Sequence, residues 1–295
     1  MRIFVTGATG FIGSAVIADL IAAGHDVLGL TRSDAGAQAL IATGAQVRRG
    51  SLADLDSLRS GAAQAGGVIH TAFNHDFSTY VTNCEDDRRV IEALGGVLAG
   101  SGRPLIVTSG TGMGGRPGQL ATEIDPPARA ADVPRAASEE AAASVSAVGV
   151  NVSVVRLPQV HDTAKQGLVT YAIDVAREKG VSAYVGDGAN RWPAAHRDDV
   201  ARLYRLALER ARGGARYNAV AEEGVPMRAI AEAIGKRLGL PVASIAPDDA
   251  PAHFGWMAMF VGGDSPASSA LTREWLGWEP TGPSLLTDLE NLVVA

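Results

Sequence analysis

Cysteine occurs once in this 295-residue chain, at Cys84, so an internal disulfide and a cysteine-built zinc cluster are both excluded. Cys84 itself reads as a small buried apolar residue. Aromatic residues make up only 5% of the sequence, and the core must be filled largely by Ala, Val, Leu and Ile. Excess positive charge is absent too. The formal net charge is −6, which argues against a nucleic-acid partner because phosphate backbones demand a basic face. No apolar run approaches the roughly 20 residues that span a bilayer, and the chain opens on MRIFVTG without a basic segment or an apolar leader. These absences predict a soluble, cytoplasmic protein with no membrane partner. No cluster of His, Cys, Asp or Glu has metal-ligand spacing and no G-x-S-x-G elbow occurs, so no metal and no serine-hydrolase chemistry are expected. With 46% hydrophobic residues, the length suffices for one large domain or two unequal ones.

What is present begins at residue 2. The apolar run RIFV reads as a buried strand, TGATGFIG follows, and AVIADLIAAG reads as a helix stopped at Gly24. Gly7, Gly10 and Gly13 stand in G-x-x-G-x-x-G spacing between that strand and that helix. One glycine permits the bend, one lets backbone N–H groups approach a phosphate, and one lets the helix pack close to the strand. A pyrophosphate then sits on the helix N-terminus. The context predicts dinucleotide binding, with Gly7, Thr9, Gly10, Phe11 and Ile12 at the phosphates. A second strand, HDVLGL, ends at Thr31, Arg32 and Ser33. Thr31 stands where an acid would take the ribose 2′-hydroxyl of NAD, and Arg32 can pair a 2′-phosphate. NADP is therefore the expected cofactor. NAD is the alternative, because Asp34 follows closely enough to hold a ribose.

Strands and helices go on alternating through QVRRGSL, GVIHTAF, PLIVTSG and NVSVVRLP. This order predicts an α/β, Rossmann-type, doubly wound parallel sheet covered by helices on both faces. Ligands in such sheets lie beyond the carboxyl ends of the strands. Ser51, Leu52, Thr71, Ala72, Phe73, Ser109, Thr111, Pro158, Val160 and His161 are placed there. Residues 112–134, rich in Gly, Pro and charge, are expected to be a surface loop beside the crevice. The predicted division puts 1–165 and about 190–220 in the dinucleotide-binding domain, with about 166–189 and 221–295 as a smaller substrate-binding region. A helix is expected near 168–179, a turn over YVGDGANRWP, and further helices at DVARLYRLALERA and MRAIAEAIGKRLG. His196 is expected to cap a helix. His75, Asp76 and Tyr80 are candidates to line a substrate pocket.

TGATGFIG, VIHTAF, VVRLPQVHD, RWPAAHRDDVARLYRLALE and LGWEP occur in the order found in extended and atypical short-chain dehydrogenases/reductases, and the chain resembles that superfamily over nearly its whole length. The resemblance implies a Ser or Thr after the fifth strand and a Y-x-x-x-K pair about two dozen residues later. Here the first of these places falls on Gly110, with Ser109 or Thr111 beside it expected to serve as the catalytic hydrogen-bond donor instead, and the pair falls on Arg135 and Glu139. No tyrosine in the chain has a lysine four residues on. The resemblance thus implies an atypical member with an intact cofactor site. Glu139 is expected to accept ribose hydrogen bonds. Arg135 is expected to hold a carboxylate or a developing oxyanion, unless it and Glu139 form an i,i+4 ion pair on one helix face. His161, in the segment expected to meet the nicotinamide, is the expected proton donor. Two functions stay open: NADP(H)-dependent reduction of a small carbonyl compound, and a non-catalytic NADP(H)-binding redox sensor. A homodimer through helices around 84–99 and 135–148 is also expected from the resemblance.

Overall fold

A computed structural model describes residues 1–116 and 118–293. Its first half alternates without interruption: β1 (Arg2–Thr6), α1 (Phe11–Ala22), β2 (Asp26–Thr31), α2 (Asp34–Ala42), β3 (Gln46–Arg49), α3 (Leu55–Ala63), β4 (Gly67–His70), α4 (Tyr80–Leu98), β5 (Pro104–Gly110), α5 (Ala137–Ala147) and β6 (Asn151–Leu157). The second half contains β7 (Gln159–His161), α6 (Val169–Lys179), β8 (Ser182–Val185), β9 (Arg191–His196), α7 (Arg197–Arg210), β10 (Arg216–Asn218), β11 (Glu222–Pro226), α8 (Met227–Leu238) and β12 (Val242–Ile245). Four short helices end it: α9 (Ala250–Phe254), α10 (Ala258–Val261), α11 (Ala270–Leu276) and α12 (Leu285–Glu290).

Seven parallel strands form the main sheet in the order β10-β6-β5-β4-β1-β2-β3. Its inner strands are apolar at consecutive positions because both faces are covered. Ile3, Val5, Ile69, Ile106 and Val155 pack with α1 and α7 on one face. Phe4, Val68, Leu105, Val107 and Val154 pack with α3, α4 and α5 on the other. The strand order reverses between β1 and β4, which opens the crevice beyond their carboxyl ends. A second core, built around Val169, Ile173, Ile230, Ile234, Phe254, Met257, Leu285 and Leu289, lies among α6, α8, α9 and α12.

The segment expected as a turn, YVGDGANRWP, is a turn only at its centre, where Gly186 and Gly188 have φ of +61° and +68°. Its flanks are strands β8 and β9. Pro193 lies inside β9, the middle strand of a second sheet ordered β11-β9-β7, where a missing N–H would break the ladder. The pairing of β11 slips between Glu222 and Val225, opposite that proline, and the irregularity accommodates it. Residues 112–116 and 118–134 run largely over the surface, as expected, and are tethered at two buried points. Ala121 is buried with Val220 and Ala267, and the buried Glu123 accepts from Thr272 N and Oγ1, each at 2.7 Å. The LGWEP stretch has a structural job: Trp278 Nε1 donates to the Asp199 carbonyl at 2.9 Å, and the Asp199 carboxylate caps Thr281 N at 3.0 Å and Gly282 N at 2.8 Å. Among the described residues no helix is long and apolar enough to cross a membrane.

Candidate functional site

The glycine turn fits a dinucleotide for steric reasons that can be stated atom by atom. Gly7 has φ +67°, and a Cβ there would lie 2.7 Å from Ala72 N. A Cβ on Gly13 would lie 2.1 Å from the Gly7 carbonyl oxygen, so α1 can pack this close to the turn only with glycine at that place. Thr71 Oγ1 donates to the Thr6 carbonyl at 2.8 Å and locks the end of β4 against the turn. Helix α1 begins without a side-chain cap and without an acid in its first turn, which leaves its opening N–H groups for an anion. Thr9, Phe11 and Ile12 lie at that opening, and the Phe11 ring stands 5.2 Å from the Arg197 guanidinium.

At the end of β2, Thr31 is buried and Arg32 is exposed. Ser33 caps α2 by accepting from Gly36 N at 3.1 Å. Asp34, the residue that would favour NAD, is ion-paired with Arg49 on the neighbouring strand. Ser51 is half-buried, and Leu52 leans on the core under α3 and α4.

Arg135 enters the crevice from the start of α5, and its partners are fixed. Nη1 donates to Asp87 Oδ2 at 3.1 Å and to Ser138 Oγ, while Nη2 donates to the Thr108 carbonyl at 3.0 Å. Its planar face lies on the Phe73 ring, 4.2 Å from the centroid. Asp87 is buried and also accepts from His70 Nε2 at 2.9 Å and from Ser138 Oγ. Burial alone would raise the Asp87 pKa, but Arg135 and His70 outweigh it and hold the carboxyl below its ordinary value. His70 Nδ1 closes the chain against Thr6 Oγ1 at 2.6 Å.

Glu139 does not face a ribose, and this corrects the expectation. Its side chain is 1% exposed, and Arg156 holds it through Nε to Oε1 at 2.8 Å and Nη2 to Oε2 at 2.9 Å. Arg216 adds a third bond to Oε2 at 3.2 Å. Both carboxylate oxygens are therefore engaged on the helix-covered face of the sheet. The i,i+4 pairing of Arg135 with Glu139 is not formed either, since each residue has partners of its own.

His161 is also corrected. It is 0% exposed, its Nδ1 lies 2.7 Å from Asp288 Oδ2 on α12, and its Nε2 has no hydrogen-bond partner. Burial pushes its pKa down despite Asp288, which matches a neutral ring donating Nδ1–H to the carboxylate. It is a packing residue between the two cores rather than a donor in the crevice. Because its folded pKa is depressed, its contribution to stability is complete above the unfolded value of about 6.5 and declines as pH falls below it. Urea unfolding is expected to show that decline in the parent protein and a flatter profile between about pH 5 and 7 for His161→Gln. Identical slopes would assign the acid sensitivity elsewhere.

The remaining candidates divide. Ser109 Oγ is buried without a partner, beside Arg156 in the strand register, and Thr111 Oγ1 donates to the Leu157 carbonyl at 3.4 Å. Val160 is buried in the first core, while Pro158 stays half-buried at the end of β6. His196 caps α7, accepting from Asp198 N at 3.3 Å. Cys84 is buried, and its thiol is pushed up to about 11, mainly by burial. Asp76 turns back to cap its own loop at Ser78 N, 3.0 Å away. His75 and Tyr80 remain at the crevice, around Phe73 at ring separations of 5.3 Å and 6.4 Å. Among the described residues no group of three or more His, Cys, Asp or Glu could hold a metal.

A dinucleotide turn at the switch point of a parallel sheet covered on both faces defines a Rossmann-type protein of the short-chain dehydrogenase/reductase superfamily. The chain belongs to the NAD dependent epimerase/dehydratase family, whose model matches residues 3–220. It is 50% identical to an uncharacterised protein of Schizosaccharomyces pombe, over 99% of each chain. It is 30% identical to a UDP-glucose 4-epimerase of Streptomyces lividans, covering 96% of this chain and 93% of that one. Its fold superposes on dTDP-glucose 4,6-dehydratase of Streptomyces venezuelae, solved with NAD bound, with a TM-score of 0.78 at 21% identity over 98% and 95% of the chains.

Proposed function

We propose that the protein is an NADP(H)-dependent oxidoreductase that reduces a small carbonyl compound without a Tyr/Lys pair. The observation that carries this reading is Arg135, a permanent cation fixed by Asp87 at the mouth of an intact dinucleotide site. The dinucleotide, when bound, supplies the hydride. A guanidinium has five N–H donors. Three are spent on Asp87, Ser138 and the Thr108 carbonyl, which leaves Nε–H and one Nη2–H for an oxygen that gains charge. Burial pushes the Tyr80 pKa up to about 12, which keeps the phenol protonated but makes it a weaker acid than a free tyrosine, so the alkoxide takes its proton from Tyr80 or from water. Epimerisation of a nucleotide sugar is disfavoured, because in relatives it leans on the tyrosine that Arg135 replaces.

Arg32, exposed at the end of β2, suits a 2′-phosphate, and Arg49 occupies Asp34. NADPH is expected to bind at least tenfold tighter than NADH, about 1.4 kcal/mol, and Arg32→Ala is expected to erase most of the difference in calorimetry. Equal affinities in the parent protein would return Asp34 to the role of ribose ligand. Cofactor oxidation against aldehydes, ketones, imines and enones tests the reaction. Tight NADPH binding with no turnover of any of them would favour the redox-sensor reading.

A homodimer through the outer sides of α4 and α5 belongs to the same reading. Gly95 and Val145 seal these two helices together within one chain, where a Cβ on Gly95 would lie 2.5 Å from Val145 Cγ1. Val81 at the start of α4 and Val148 just past the end of α5 are exposed. Light scattering is expected to give twice the 30.4 kDa chain mass, and a value near the single mass would refute the dimer.

A further inference from the structure

Aromatic residues are scarce in this chain, yet six of its fifteen Phe, Tyr and Trp side chains meet in one place. Phe73, Phe77 and Tyr80 come from the β4–α4 connection, Tyr171 from α6, and Trp256 and Phe260 from the segment around α10. Phe77 and Trp256 stack at 4.3 Å with an 18° interplanar angle. Tyr171 meets Trp256 edge-on at 5.0 Å, and Phe260 meets it edge-on at 6.1 Å. At the inner end, Phe73 carries the Arg135 guanidinium. At the outer end, Trp256 is 41% exposed. An unbroken series of ring faces and edges thus runs from the surface to the cation at the dinucleotide site. Arg191 of β9 and Arg228 of α8 are committed elsewhere: Arg191 pairs with Asp264 through bonds of 3.0 Å and 2.9 Å, and Arg228 pairs with Glu232 at 2.8 Å.

We infer that this cluster is the substrate site and that it selects a flat aryl aldehyde or ketone, an inference that rests on the reductase reading above. A flat ring can lie edge-on beside the closed Phe77–Trp256 stack, on its Phe73 side, with its carbonyl directed at Arg135, and its quadrupole matches the edge-on geometry already present. A saturated ring of equal size fills the same volume without that match. The carbonyl carbon accepts the hydride, the π pair moves onto the oxygen beside Arg135, and a proton from Tyr80 or water completes the alcohol while NADPH leaves as NADP⁺.

The test compares benzaldehyde with cyclohexanecarbaldehyde under saturating NADPH. Each ring pair is worth about threefold to tenfold, so kcat/KM is expected to favour benzaldehyde by at least about tenfold, chiefly through KM. Trp256→Ala is expected to abolish the preference and Trp256→Phe to keep most of it, with NADPH affinity unchanged in both. Benzyl alcohol is expected to quench tryptophan fluorescence of the NADP⁺ complex, in the parent but not in Trp256→Ala, and cyclohexylmethanol is not. Equal kcat/KM for the two aldehydes together with no selective quenching overturns the aromatic site and leaves the reductase reading standing. Selective quenching without turnover of either aldehyde supports the aromatic site and removes the reductase reading. Neither turnover nor quenching overturns both.

Discussion

Glu139→Lys is expected to cost about 3–5 kcal/mol of stability, the range found when one member of a buried ion pair is removed. The structural reason is the surroundings of that carboxylate. Arg156 is 1% exposed, is bonded twice to Glu139, and spends two more donors on the Thr122 and Asp125 carbonyls at 3.4 Å and 3.1 Å. A lysine at 139 would confront Arg156 and Arg216 with a third positive charge inside the fold. The bonds to Thr122 and Asp125 also tie the 112–134 segment to the sheet, so that segment is expected to loosen. Glu139→Gln keeps the acceptor and loses only the charge, and is expected to cost less, about 1.5–3 kcal/mol. Thermal melts should rank parent, Gln and Lys in that order, with the Lys variant at least about 6 °C below the parent. A Lys variant that melts with the parent would show that this ion pair contributes nothing. The double change Arg135→Tyr, Glu139→Lys is therefore expected not to restore the superfamily's usual apparatus. It replaces two residues whose partners, Asp87 and Arg156, are matched to opposite charges.

The sheet and the glycine turn were legible because each rests on local information. Strands buried on both faces read as continuous apolar runs, and the turn's three glycines stand at fixed spacing between a strand and a helix. The strands β7, β8 and β12 were not legible, being three or four residues long with no period to detect. The partners of the candidate residues were not legible either, since they are far apart in sequence: Asp87 lies 48 residues from Arg135, and Asp288 lies 127 from His161. One signal did exist for the first pair. Cys84, Asp87, Ile91 and Leu94 fall on one face of α4, and all four are buried. An acid on an otherwise apolar helical stripe requires a buried cation or donor, and Arg135 is that cation. Arg156 gives the same signal within NVSVVRLP, as a charged residue at the inner end of a buried strand. Such an interruption is half of a buried pair, and for Arg156 the other half is Glu139, which therefore lies inside the fold and not at the cofactor.

Arg135→Ala is expected to lower kcat/KM by about 10²–10³, the loss seen when one oxyanion donor is removed. It is also expected to destabilise the fold, and the two effects can be separated through Asp87. Without the guanidinium, Asp87 keeps only His70 and Ser138 as partners, in a buried place where desolvation already opposes its charge. Its folded pKa then rises above the unfolded value. The sign of the linkage follows: the penalty is full at neutral pH and is relieved as pH falls through the raised pKa. The variant is thus expected to gain stability on acidification relative to the parent, in which Arg135 keeps the Asp87 pKa depressed. Adding Asp87→Asn to Arg135→Ala removes the stranded charge, so the double variant is expected to recover much of the lost stability and none of the lost turnover. Urea unfolding at several pH values and kcat/KM for the best carbonyl substrate decide between the two roles. Recovery of both by Asp87→Asn would mean that Arg135 is only a counter-ion for a buried carboxylate. Recovery of stability alone places its charge on the reacting oxygen.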